Sequence, residues 1–174
     1  LYESIMNAED KVMMVALGPL TTAANLLTLH PDVKEKLQGI VFMGGYIRNG
    51  SMTPFSSVNV LYDPEAANIT MTSGVPFYMV PGDLTDIAFI TKEEMSAFAT
   101  MRSPQGKVAK ELLDAYLRTC TMLGETEEGL CLHDPVTMAF LTNPELFAYG
   151  RYHAQVETES EMGVALTIID YEDI

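Results

Sequence analysis

His133 and Asp134 stand side by side in the segment Leu132-His133-Asp134-Pro135. An imidazole changes charge near neutrality and can hand a proton to a leaving group. A carboxylate is a hard oxygen ligand for a cation. Both positions also have plainer readings, since Asp before Pro is a good helix N-cap and a single neighbouring His reads as a partly buried polar residue. Asn59, flanked by Val58 and Val60 after a polar stretch, is an uncharged donor and acceptor that suits either sugar hydroxyls or a turn. His30 and His153 read as a turn residue and a strand residue with no local partner. The two cysteines, Cys120 and Cys131, lack metal-ligand spacing, which points to a reducing compartment and leaves pairing between them open. Twelve methionines fill core gaps or line an adaptable pocket. The sequence holds no P-loop, no dinucleotide-binding glycine fingerprint and no nucleophile elbow.

Charge narrows the choice of partner. Ten Lys and Arg against 24 Asp and Glu give a net charge of −14, which argues against nucleic acid, because a phosphate backbone is held by clustered cations. A small neutral or cationic ligand fits better. From residue 119 onward there are 11 acids and one base, Arg151, read either as a solvated face or as carboxylates gathered round a cation. A chain of 174 residues, 48% hydrophobic, is expected to form one domain. No apolar run approaches the roughly 20 residues that span a bilayer, and the first residues lack a signal-like pattern, so the expectation is a cytoplasmic protein with no membrane partner.

The elements that must position these residues follow from punctuation and periodicity. Val12–Leu17 is a short apolar run stopped by Gly18-Pro19, a buried strand, and Thr21–Leu29 has helical spacing broken at His30-Pro31. Gly39–Met43 is a second strand closed by Gly44-Gly45. Residues 46–62 show no period and read as a long loop. Asp63-Pro64 opens a helix ended by Ser73-Gly74, and Pro76–Val80 is a third strand followed by a loop over 81–86. Thr91 and Glu94 form a capping box for a helix over Lys92–Met101, and Ser103-Pro104 starts the longest helical pattern. Gly124–Gly129 reads as an acidic loop, after which Asp134-Pro135 opens a helix through Phe140. Arg151–Glu159 and Val164–Ile169 alternate as two strands. This order predicts an α/β fold with a mostly parallel open sheet, flanking helices and a final antiparallel ribbon. Ligands of such sheets sit beyond the carboxyl ends of the strands, here Leu17-Gly18-Pro19, Met43-Gly44-Gly45 and Val80-Pro81-Gly82-Asp83.

Five segments together go further. Val15-Ala16-Leu17-Gly18-Pro19-Leu20-Thr21, Val41-Phe42-Met43-Gly44-Gly45, Asn59-Val60-Leu61-Tyr62-Asp63-Pro64-Glu65-Ala66-Ala67, Asp83-Leu84-Thr85 and His133-Asp134-Pro135 resemble, in order and spacing, the inosine-uridine-preferring nucleoside hydrolases. The resemblance implies hydrolysis of the N-glycosidic bond of ribonucleosides to ribose and free base, with a calcium ion as cofactor and dimers or tetramers as the assembly. It implies that the Asp134 carboxylate and the Leu17 carbonyl face the calcium. Met43 and Asn59 would lie beside the ribose, and His133 near the leaving base.

The sequence departs from that pattern in three ways. The Asp-rich motif that supplies most calcium carboxylates and the general base in the family does not occur in these residues. The resemblance therefore describes 1–174 as a single nucleoside hydrolase-like domain truncated at both ends, and the isolated chain is expected to be inactive. Ser57 stands where the family has a Glu for the ribose 5′-hydroxyl, and Ser51 where an Asn is usual. As substrate-binding residues these serines should weaken 5′-hydroxyl recognition by ~1.5–3 kcal/mol, the worth of a hydrogen bond to a charged group. The alternatives are a non-catalytic nucleoside- or ribose-binding module and an interaction fragment. Base preference has no diagnostic pattern in residues 46–58 or 118–132.

Overall fold

The computed structural model describes residues 1–48, 50–126 and 128–171. Glu127 of the expected acidic loop and residues 172–174 lie outside them. In chain order the elements are α1 (Tyr2–Met6), β1 (Val12–Ala16), α2 (Thr21–Leu29), a 3-10 turn (Pro31–Glu35), β2 (Leu37–Met43), α3 (Val58–Leu61), α4 (Pro64–Met71), β3 (Phe77–Val80) and α5 (Gly82–Thr85). After these come β4 (Phe89–Thr91), α6 (Lys92–Ser96) with a 3-10 turn (Ala97–Thr100), α7 (Pro104–Met122), β5 (Gly129–Cys131), α8 (His133–Thr142), β6 (His153–Val156) and β7 (Thr167–Asp170). The chain forms two compact units, Leu1–Leu84 with Asp134–Ile174, and Thr85–His133.

In the larger unit β1, β2 and β3 form a parallel sheet in that order. Helix α2 connects the first pair, and α3 with α4 the second. Ile40, Val41 and Phe42 are all buried in succession, so β2 is covered on both faces as a central parallel strand must be. Phe42 packs with Leu20, Ala24, Val60 and Ala67, which are drawn from α2, α3, α4 and their flanks. Asp63 caps α4 by accepting from the Ala66 amide and also accepts from the Thr21 hydroxyl, which ties the starts of α4 and α2 together. The β6–β7 ribbon is antiparallel, and Asn68 of α4 accepts from the Val156 amide, fastening the ribbon to the helix layer.

The smaller unit has the antiparallel pair β4–β5 and the helices α6 and α7 around Met95, Cys120 and Leu130. Its capping box is present: the Thr91 side chain accepts from Glu94 and the Glu94 carboxylate returns to Thr91. Cys120 and Cys131 are free thiols, and burial pushes both up from the usual cysteine range.

Four sequence expectations are refined. Residues 46–62 are not loop throughout, because Ser57 caps the single turn of α3. The loop expected over 81–86 contains the short helix α5. Helix α6 ends at Ser96 and gives way to 3-10 geometry before Met101. Helix α8 begins at His133, so Asp134 sits in its first turn instead of at the N-cap, still where the positive end of the helix favours a carboxylate. Among the described residues no helix is long and apolar enough to cross a membrane.

Candidate functional site

The carboxyl ends of β1 and β2 are joined by one side chain. The Asn59 amide nitrogen donates to the Leu17 carbonyl at 3.2 Å and to the Met43 carbonyl at 2.8 Å. Two carbonyls can only accept, so the nitrogen, with its two hydrogens, must face them and the amide oxygen must face away. The Met43 sulfur lies 3.7 Å from the same nitrogen. Leu17 and Met43, singled out by the family resemblance, therefore meet Asn59, singled out by its local sequence as well, at one point.

Asn59 reaches this point because α3 is held at its start. Ser57 is 5% exposed, and its hydroxyl accepts from the Gly45 amide at 2.8 Å and the Val60 amide at 3.4 Å. The oxygen is thus spent inside the fold, joining the turn after β2 to the helix that carries Asn59, instead of lying open to a sugar. Gly45 adopts φ +81°, and a Cβ there would come within 2.6 Å of the Met79 sulfur, so glycine is required on two counts. Ser51 lies in an exposed turn whose Ser51 and Met52 amides both donate to the Ser56 carbonyl.

The third strand end adds a residue to which the sequence reading gave no role. The Asp83 carboxylate accepts from the Ile47 and Arg48 amides at 2.7 and 3.1 Å, and the Gly82 amide donates to the Gly45 carbonyl. A Cβ on Gly82 would fall 2.1 Å from the buried Tyr46 ring, so the close approach of these two turns requires glycine at 82. The available signal was position, since Asp83 follows directly on a strand's carboxyl end.

In the smaller unit His133 is brought out by the β4–β5 ribbon, extended by the Leu132 amide donating to the Ala88 carbonyl. Its Nδ1 lies 2.7 Å from the hydroxyl of fully buried Thr85 and 3.8 Å from an Asp86 carboxylate oxygen. The Cys131 thiol donates to the Asp86 carbonyl at 3.3 Å, which holds that segment against the ribbon. Sequence reading missed Thr85 and Asp86 as partners of His133 because about fifty residues separate them in the chain.

Calcium, which the resemblance implies, takes 6–8 oxygen ligands. Among the described residues there is no group of three or more His, Cys, Asp or Glu that could hold a metal ion, and the Leu17 carbonyl receives an N–H from Asn59. These residues do not by themselves fit a calcium shell.

The profile of the inosine-uridine preferring nucleoside hydrolases matches residues 1–174. The chain belongs to this family. It is 36% identical over 171 residues to the pyrimidine-specific ribonucleoside hydrolase RihA of Escherichia coli O1:K1, covering 98% of the chain and 55% of that relative. Among solved structures, the purine-preferring ribonucleoside hydrolase from Gardnerella vaginalis superposes with a TM-score of 0.86 at 27% identity, covering 98% of this chain and 54% of that one. The plant nucleoside hydrolase PpNRh1 gives 0.86 at 26% identity, covering 97% and 53%. The chain spans about half the length of the nucleoside hydrolases it matches, and its parallel sheet with flanking helices is theirs.

Proposed function

We propose that the chain carries sugar-binding and leaving-group residues of an N-ribohydrolase. The observation that carries this reading is the Asn59 amide spanning the Leu17 and Met43 carbonyls at neighbouring parallel strand ends, where such sheets receive ligands. In the reaction water adds its oxygen to C1′ while the bond from C1′ to the base nitrogen breaks. The bonding pair leaves with the base, which takes up a proton, and the sugar inverts at C1′.

Met43 and Asn59 flank the ribose, Ser51 edges the same side from its exposed turn, and Ser57 supports them from beneath. His133 delivers the proton to the departing base. Neither purine nor pyrimidine is favoured, since the related proteins bear both preferences in their names. Calcium and self-association remain what the family resemblance implies, and a reducing, cytoplasmic location is what the spacing of Cys120 and Cys131 suggests.

Nothing in this set takes the proton from the attacking water, so these 174 residues should bind nucleoside and release no base. Calorimetric titration with inosine tests the reading. Saturable binding that is lost in Asn59→Leu supports it, whereas absent binding or binding indifferent to the substitution overturns it. Base release from inosine or uridine above a metal-free control would overturn the expected inactivity.

A further inference from the structure

We propose that Asp83 is a specificity-determining residue that reserves the turn after β2 for an uncharged sugar, by filling with its own carboxylate the place a 5′-phosphate would take. The inference rests on the assignment of Met43 and Asn59 to the ribose and adds which form of the nucleoside the strand ends admit.

The turn over 44–48 has the makings of an anion site. The Ile47 and Arg48 amides are consecutive in the chain, and both donate to one carboxylate, at 2.7 Å to Oδ2 and 3.1 Å to Oδ1 of Asp83. Successive amides that converge in a turn form a concavity that receives an anion, and a hydrogen bond to a charged acceptor is roughly twice as strong as a neutral one. Arg48, itself exposed, carries a guanidinium on the same turn, a group well matched to phosphate. Asp83 supplies the anion from within the chain. It can do so because the strand ends are stitched together around it. The Gly44 amide donates to the Val80 carbonyl at 3.1 Å and the Gly82 amide to the Gly45 carbonyl at 2.9 Å, which sets the exit of β3 beside that of β2.

Met43 ends β2 and opens this turn. A phosphate carried by a sugar at Met43 and Asn59 would meet the Asp83 charge where it would otherwise find two amides. Leu17, Met43, Ser57 and Asn59 bring no formal charge, so discrimination between nucleoside and nucleotide falls to Asp83 among these residues. Such discrimination needs a repulsive element as well as attractive ones.

The test titrates the whole chain with inosine and with inosine 5′-phosphate. The unmodified chain should bind inosine at least about tenfold more tightly, and Asp83→Ser, which empties the turn, should narrow that ratio by about tenfold or more, the worth of one charge-assisted hydrogen bond. Asp83→Asn keeps the shape and removes the charge, so it decides alone should the serine variant not fold. Asp10→Asn loses the same charge just before β1, at the other end of the strands, and should leave the ratio within about twofold. In the 15N-labelled serine variant, inorganic phosphate should shift the Ile47 and Arg48 amide resonances saturably and leave those of the unmodified chain in place. An unmodified chain that binds the phosphate ester as well as inosine, a ratio moved as far by Asp10→Asn as by the Asp83 variants, or phosphate ignored by both amides overturns the proposal. Phosphate captured by the serine variant of a chain that binds no inosine keeps Asp83 as the occupant of the turn and overturns the nucleoside reading of the site.

Discussion

The two compact units hold their candidate residues by different means. In the larger unit Asn59, Ser57 and Asp83 all bond to backbone groups, the carbonyls of Leu17 and Met43 and the amides of Gly45, Val60, Ile47 and Arg48. In the smaller unit His133 is aimed by two side chains, Thr85 and Asp86, at the end of a ribbon with only three residues per strand. A residue that bonds backbone is part of the scaffold as well as part of the site. A residue aimed by side chains can be retuned with little change to the fold. Stability and ligand recognition should therefore be coupled in the first unit and separable in the second.

The largest expected effect tests the scaffold itself. Phe42→Ala removes a fully buried ring from the centre of β2 and should cost about 3–5 kcal/mol in urea unfolding, with inosine binding lost alongside. Leu130→Ala in the smaller unit should cost about 2–4 kcal/mol, and the coupling argument fails if inosine affinity drops as far as in the Phe42 variant. Asn59→Leu leaves two strand-end carbonyls without their donor and should cost about 1–3 kcal/mol, read from the same denaturation midpoint. Ser57→Ala should cost ~1 kcal/mol as a lost N-cap. Ser57→Glu, the family residue, should lower stability too, because it trades a buried acceptor for a longer charged chain. Tighter inosine binding with unchanged stability would return Ser57 to the sugar.

The smallest effect concerns pH. Backbone and hydroxyl donors from Thr91 hold the Glu94 carboxyl below its ordinary value of 4.5. A group lowered on folding contributes stability above its unfolded value and loses it as pH falls through the folded one. Amide protection at Thr91 should accordingly fade below the ordinary glutamate range while the β1–β2 amides keep theirs. Simultaneous loss at both would show that the units do not open separately.

The sequence was most readable where chemistry is local. Thr21–Leu29, the Asp63-Pro64 start, the Thr91–Glu94 box and the Ser103-Pro104 start all emerge as expected, because capping and proline act within one helical turn. Strands β4 and β5 were missed, since three residues are too few to show a period and their pairing spans about forty residues of chain. The same limit governs the site. Leu17 and Met43 were named by family resemblance and Asn59 by its local sequence as well, and local patterns gave no hint that one amide would tie all three. Ser57 was named for its position in the motif, yet only burial reveals where its hydroxyl is spent. Thr85 was visible as a motif letter without a purpose until folding brought it to Nδ1 of His133.

The Asn59 bridge has a final consequence, for salt. This protein carries a net charge of −14, yet Leu17, Met43 and Asn59 meet through peptide and amide dipoles and Ser57 adds a hydroxyl bonded to the Gly45 amide, so these four bring no formal charge to the strand ends. A neutral sugar arriving there displaces no counterions and meets no charged group among those four residues. Its affinity should stay level as ionic strength rises past the point where the Debye length shrinks to about 8 Å, while the repulsion among the surface carboxylates is progressively screened.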